Sequence, residues 1–135
     1  MMFIDAAAIV AILSDEAEAG RCAEAIVDAT NPFTSAIAVW EAAMALARPE
    51  KLAAPVELTS KIVTRFLDER GIAVRELPPA EESVSLSIEA ASRFRNNAIR
   101  LNMADCFHYA CARYYGAPML STADEFRLTD LQTVA

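Results

Sequence analysis

The sequence predicts an α/β sandwich, a parallel central sheet flanked by helices on both faces. Two observations carry this. Short apolar runs alternate along the chain with stretches of helical period, and strands separated by helices pair in parallel through right-handed crossovers. The chain of 135 residues is 55% hydrophobic and 23% charged, enough apolar material for one domain with a real core and too much for a disordered tail. One domain over residues 1–135 is the expectation.

Met2–Ile4 reads as the first strand and Ala6–Leu13 as the first helix, with Asp5 at the junction. Glu16–Ala29 is a second helix, stopped near Asn31-Pro32. Phe33–Thr34 is a very short strand, after which Thr34 or Ser35 caps a strongly apolar helix that runs to Ala47 before Pro49. Pro55 opens a helix to Arg70 that Gly71 ends, because a glycine tolerates the left-handed turn after a helix. Ile72–Leu77 alternates apolar and charged residues as a strand does. Pro79 starts a helix through Phe94, Arg95–Leu101 is a polar loop, and Asn102 caps a helix from Met103 to Tyr115 that stops at Gly116. Pro118–Leu120 is a strand and Thr133–Val134 a last edge strand. All three glycines, Gly20, Gly71 and Gly116, fall at expected helix stops, so no phosphate-cradling loop exists and P-loop and dinucleotide readings are excluded.

The charge is −7 with histidine neutral, which argues against a broad basic surface for nucleic acid. Apolar runs such as Ala6–Leu13 and Ala36–Trp40 fall far short of the roughly 18 residues a membrane helix needs. The start MMFID lacks a basic segment and does not read as a signal peptide. Cys22, Cys106 and Cys111 have no CxxC spacing and read as buried thiols. The expected location is the cytoplasm.

Most of the acids sit on polar helix faces as solvated charge. Four do not fit that description. Asp5 lies between apolar residues on both sides, as a helix cap or as a buried carboxylate that needs a partner. Glu41 is the lone charge in AIAVWEAAMALA, a helix apolar nearly all round. Asp105 stands three residues after the cap Asn102, which makes it a capping-box acid at a positive helix start. Asp124, in STADEF, follows the strand at Pro118–Leu120 and has a plain turn reading beside the functional one; Glu125 and Asp130 are weaker candidates. Ligands in open parallel sheets bind beyond the carboxyl ends of the strands, where these acids would meet. Convergent carboxylates demand a cation, and oxygen-only ligands select hard ions, Mg²⁺ or Mn²⁺. His108, one turn from Asp105, reads as an ordinary helix residue with no general-base role. Trp40 reads as core, with Met44 and Leu46 as lining of a groove or dimer surface the alternative.

The segments FIDAAAIVAIL, TSAIAVWEAAMAL and above all LNMADCFHYACARYYGAPMLSTADEFRLTDL resemble the PIN-domain ribonucleases, in particular the VapC-type toxins of bacterial toxin–antitoxin pairs, from Phe3 to about Leu131. The resemblance implies a PIN-like three-layer sandwich and an acidic site at Asp5, Glu41, Asp105 and Asp124. In that family these residues bind one or two Mg²⁺ or Mn²⁺ ions and support cleavage of RNA. It implies Asp5, Asp105 and Asp124 as ligands, Glu41 completing the site or orienting water, a cognate antitoxin protein as inhibitor, and a homodimer. Two departures stand out. Ala7 replaces the family's usual hydroxyl two residues after the first Asp, which leaves that carboxylate less supported, and Ala104, Thr122 and Ala123 replace its usual Gly and Lys.

Between Ala90 and Ala123, Arg93, Arg95, Arg100 and Arg113 face Asp105 alone, a local charge of +3. Arg93, Arg95 and Arg100 bracket the loop before the Asp105 helix and are candidate phosphate contacts, with Thr122 a candidate hydroxyl near the site. The same arginines suit an acidic antitoxin segment equally well. A catalytically weak PIN-like protein-binding module is the competing reading, and a DNA-directed nuclease of the same chemistry stays open.

Overall fold

The computed structural model describes residues 1–134. Among them the elements run β1 (Met2–Ile4), α1 (Ala6–Leu13), α2 (Ala19–Asp28), β2 (Pro32–Ser35), α3 (Ala36–Leu46), α4 (Val56–Arg70), β3 (Ala73–Arg75), α5 (Ala80–Phe94), α6 (Met103–Tyr115), β4 (Met119–Leu120), a 3-10 turn (Asp124–Leu128) and β5 (Thr133–Val134). The strands form one sheet in the order β3-β2-β1-β4-β5, every pair parallel. This is the expected α/β sandwich.

The first strand is central. Phe3 pairs with Phe33 on one side and Met119 on the other. The chain therefore leaves β1 at a point where strand order reverses, and the crevice of an open parallel sheet lies at such a point. Helices α1 to α4 pack on one another and α5 packs on α6, as right-handed crossovers to opposite sides of β1 require. A smaller contact joins α3 to α6. The core is built on Phe3, Ile4, Ile9, Phe33, Leu46, Tyr109, Met119, Leu120 and Phe126, all fully buried.

The element ends follow local chemistry. Asp5 accepts from Ala6 N at 2.8 Å, Ser35 from Ala38 N at 3.3 Å, and Asn102 and Asp105 close a reciprocal capping box. Gly71 and Gly116 end α4 and α6 in the left-handed conformation at φ 66° and 65°.

Three expectations need correction. Gly20 stops no helix; it lies in the first turn of α2. That helix starts at Ala19 rather than Glu16, because the Glu16 carboxylate is held by the Ser14 hydroxyl and by Lys51. Trp40 is not core. It is 64% exposed, while Ala38, Ala42, Ala43 and Leu46 form the buried side of α3. The three cysteines are buried and free, as expected.

Candidate metal centre

Asp5 sits where β1 ends and α1 begins. Its amide donates to Leu120 O at 3.0 Å, which ties the position to β4. Its Oδ1 caps α1, and its Oδ2 accepts from the Ser121 hydroxyl at 2.6 Å. Glu41 comes from α3, which starts directly after β2, and is half-buried. Asp105 opens α6, and His108 follows one turn later on the same face. His108 Nε2 hydrogen-bonds Glu41 Oε1 and lies 3.7 Å from Asp5 Oδ1. One ligand atom from each of Asp5, Glu41 and His108 lies within 4.8 Å of the others.

The electrostatics match this crowding. Burial pushes the Asp5 carboxyl above its ordinary range; His108 and the Ser121 hydroxyl oppose the rise, and the charge of Glu41 adds to it. Asp105 is pushed up to about 6, mainly by burial, with the Asn102 amide pulling back and the charge of Asp5 pushing further. For His108 burial opposes protonation, but the Glu41 hydrogen bond and the charges of Asp5, Glu41 and Asp105 outweigh it and raise its pKa. No Lys or Arg takes part in these interactions.

Three of the four expected acids thus gather: Asp5 and Glu41 in contact through His108, and Asp105 close enough to feel both charges. Asp124 does not join them. The turn at Asp124–Leu128 seats Phe126 in the core and leaves the Asp124 side chain 92% exposed, paired with Arg127 at 2.8 Å. Two residues were missed. His108 is fully buried among the carboxylates rather than an ordinary helix residue. Ser121 supplies from the end of β4 the hydroxyl that Ala7 lacks. The only sequence signal for His108 was its spacing of three from Asp105; Ser121 had none.

The expected substrate contacts separate in the same way. Arg93 pairs with Asp130 at 3.3 Å and Glu89 at 3.7 Å and lies over the Phe94 ring, so its charge is committed. Arg113 pairs with the same Asp130 at 2.6 Å. Arg95 and Arg100 are exposed, with no ion pair among the described residues. Thr122 lines a cleft of about 390 Å³ that also includes Glu41, Trp40, Arg48 and Lys51. Beside it, Ile37, Trp40, Met103 and Ala104 form an apolar surface. No helix of the described chain is long and apolar enough to cross a membrane.

The PIN domain family profile matches residues 2–130. Ribonuclease VapC42 of Mycobacterium tuberculosis is 31% identical over 132 residues, covering 97% of each chain. Ribonuclease VapC30 of the same organism is 30% identical over 148 residues, covering 99% of this chain and 98% of the relative. Among solved structures, M. tuberculosis VapC20, a sarcin-ricin loop cleaving toxin, superposes with a TM-score of 0.75 at 14% identity over 97% of this chain and 96% of its own. VapBC2 of Rickettsia felis, bound to a promoter DNA fragment, gives 0.71 at 13% identity over 98% and 97%. With a profile spanning nearly every residue and relatives aligned end to end, the chain belongs to the PIN-domain family and, within it, to the VapC ribonucleases.

Proposed function

We propose that the chain is a single PIN domain over residues 1–135 acting as a metal-dependent endoribonuclease toxin, held inactive by a cognate antitoxin. The observation that carries this reading is the gathering of Asp5, Glu41 and His108 within 4.8 Å of one another, with Asp105 close enough to feel all three charges and no Lys or Arg among the described residues coupled to them. The donor set fits a divalent ion. Asp5 and Asp105, whose carboxyls burial and neighbouring negative charge push upward, are the groups a cation would relieve. Asp5, Glu41 and Asp105 would hold Mg²⁺, with Mn²⁺ as substitute. Asp124 would have to give up Arg127 to join them. When bound there, the ion would supply a low-pKa water and polarise the scissile phosphate. The protein's part is to hold the carboxylates: Ser121 and the Ala6 amide fix Asp5, and the capping box fixes Asp105.

RNA would lie along the cleft beside Glu41, with Thr122 in its lining and Arg95 and Arg100 available to phosphates. The VapC30 and VapC42 ribonucleases support RNA as the substrate class. The exposed apolar side of α3, with Trp40 and neighbouring Met103, suits an antitoxin helix or a second copy of the chain. The VapBC assembly from Haemophilus influenzae, similar at TM-score 0.69, supports an antitoxin partner.

The test is direct. Purified chain with Mg²⁺ or Mn²⁺ cleaves RNA and EDTA stops it. Asp5→Asn or Asp105→Asn abolishes cleavage while the variants still melt cooperatively. Cleavage unchanged by both substitutions overturns the assignment. A protein-binding module without catalysis would gain no thermal stability from Mn²⁺. Growth arrest on expressing the chain alone, relieved by a short protein encoded beside it, tests the partner.

A further inference from the structure

We propose that His108 is a positioning residue of this centre: it donates its Nε2 proton to Glu41 Oε1 and holds that carboxylate against Asp5 without itself binding the ion. The inference deepens the metal-centre reading above and rests on it.

Depth is the first argument. The His108 side chain is 0% exposed, whereas Glu41 is 24% exposed, so the imidazole lies beneath the carboxylate and Glu41 is the member that reaches solvent. The ring also packs on Phe3, centroids 5.5 Å apart, so the core fixes its plane.

The second argument is the proton. His108 Nδ1 is buried and has no hydrogen-bond partner among the described residues. An imidazole that binds an ion through Nε2 carries its proton on Nδ1, which here would be a buried N–H without an acceptor. Histidine ligands almost always pass that second N–H to a carboxylate, carbonyl or water. With the proton on Nε2 no buried N–H is left without an acceptor: Nε2–H donates to Glu41, and Nδ1 keeps only a lone pair. Glu41 Oε2 makes no hydrogen bond among the described residues and is the atom left for the ion or its water. Glu41 stands alone in an apolar helix, and a long side chain without such a donor would sample several rotamers.

Mn²⁺ binding to the full chain tests this, by calorimetry and pulsed EPR. Wild type binds Mn²⁺ without the strong ¹⁴N coupling of a directly bound imidazole. His108→Leu, which lacks the donor, weakens binding about 10- to 100-fold. His108→Gln, which keeps an N–H, stays within about threefold of wild type. In a Glu41→Gln background, His108→Leu causes no further loss, an outcome a merely structural histidine would not give. The proposal is overturned if His108→Leu binds like wild type, if His108→Gln is as weak as His108→Leu, or if directly bound nitrogen is seen. Should His108→Leu not melt cooperatively, the wild-type nitrogen spectrum and His108→Gln decide. Wild type that binds no Mn²⁺ removes the metal centre itself. Binding lost in Asp5→Asn but unchanged in His108→Leu removes only the role of His108.

Discussion

Lowering the pH from 7 to 5 should weaken Mn²⁺ binding by at least about tenfold. A ligand carboxylate must be deprotonated to bind, and Asp105 has a pKa pushed up to about 6. At pH 7 about nine in ten copies carry the charge, and at pH 5 about one in ten, a factor of roughly ten or 1.4 kcal/mol. A carboxyl at its ordinary value of 3.8 would stay more than nine-tenths ionised at both pH values, so an unshifted Asp105 predicts almost no change. Asp5, the other buried ligand carboxyl, is shifted upward as well and adds to the loss. The sign for stability is opposite in the metal-free chain. A folded state with raised pKa values holds protons that the unfolded chain has released, so this cluster's contribution falls as pH rises through the window from about 4 to 6 and beyond. Melting temperature with and without Mn²⁺, and the Kd by calorimetry, at pH 5, 6 and 7 measure both effects. A Kd equal at pH 5 and 7 refutes the account of Asp105 as a buried, mutually repelled ligand.

Other perturbations separate the remaining parts. Ser121→Ala removes the donor to Asp5 Oδ2 and should weaken Mn²⁺ about tenfold while costing about 1–3 kcal/mol in chemical denaturation. Asp124→Asn, at an exposed side chain already paired with Arg127, should change Mn²⁺ affinity less than Asp105→Asn does; equal losses would place Asp124 in the site. Phe126→Ala, at a fully buried ring in the last turn, should destabilise by about 3–5 kcal/mol. RNA binding by Asp5→Asn without divalent ions, followed by anisotropy over a salt series, should show a shallow slope of about −1.4, as expected from two phosphate contacts to a single strand, at Arg95 and Arg100.

Helix ends were legible because their determinants are local. Asp5, Ser35 and Asn102 cap through bonds to residues within three positions, and Gly71 and Gly116 stop their helices by their own backbone freedom. What failed depended on distant residues. The start of α2 moved because Lys51, 35 residues away, holds Glu16. Trp40 was misread because α3 is apolar on nearly every face, and a pattern without contrast cannot say which side meets the sheet.

The site divides along the same line. Asp5, Glu41 and Asp105 were visible because each is an acid in a setting that ordinarily excludes or caps one. Asp124 carried only a turn signal, and the turn is what the structure gives it. His108 and Ser121 act across 67 and 116 residues of sequence, so no local pattern could reveal them. The same separation resolves the conflict between a charge of −7 and an RNA substrate. Arg93 and Arg113 share Asp130, and this pairing fastens the segment after β4 to α5 and α6 rather than serving phosphates. With those two spent, the loop retains only Arg95 and Arg100 as exposed cations without ion pairs among the described residues. The loop before α6 therefore offers RNA little, Lys51 in the cleft is paired with Glu16, and beside Arg48 the main local positive charge would be the ion that Asp5, Glu41 and Asp105 are proposed to hold. Metal removal is then expected to weaken RNA binding as well as stop cleavage, which a nuclease with a broad basic groove would not show.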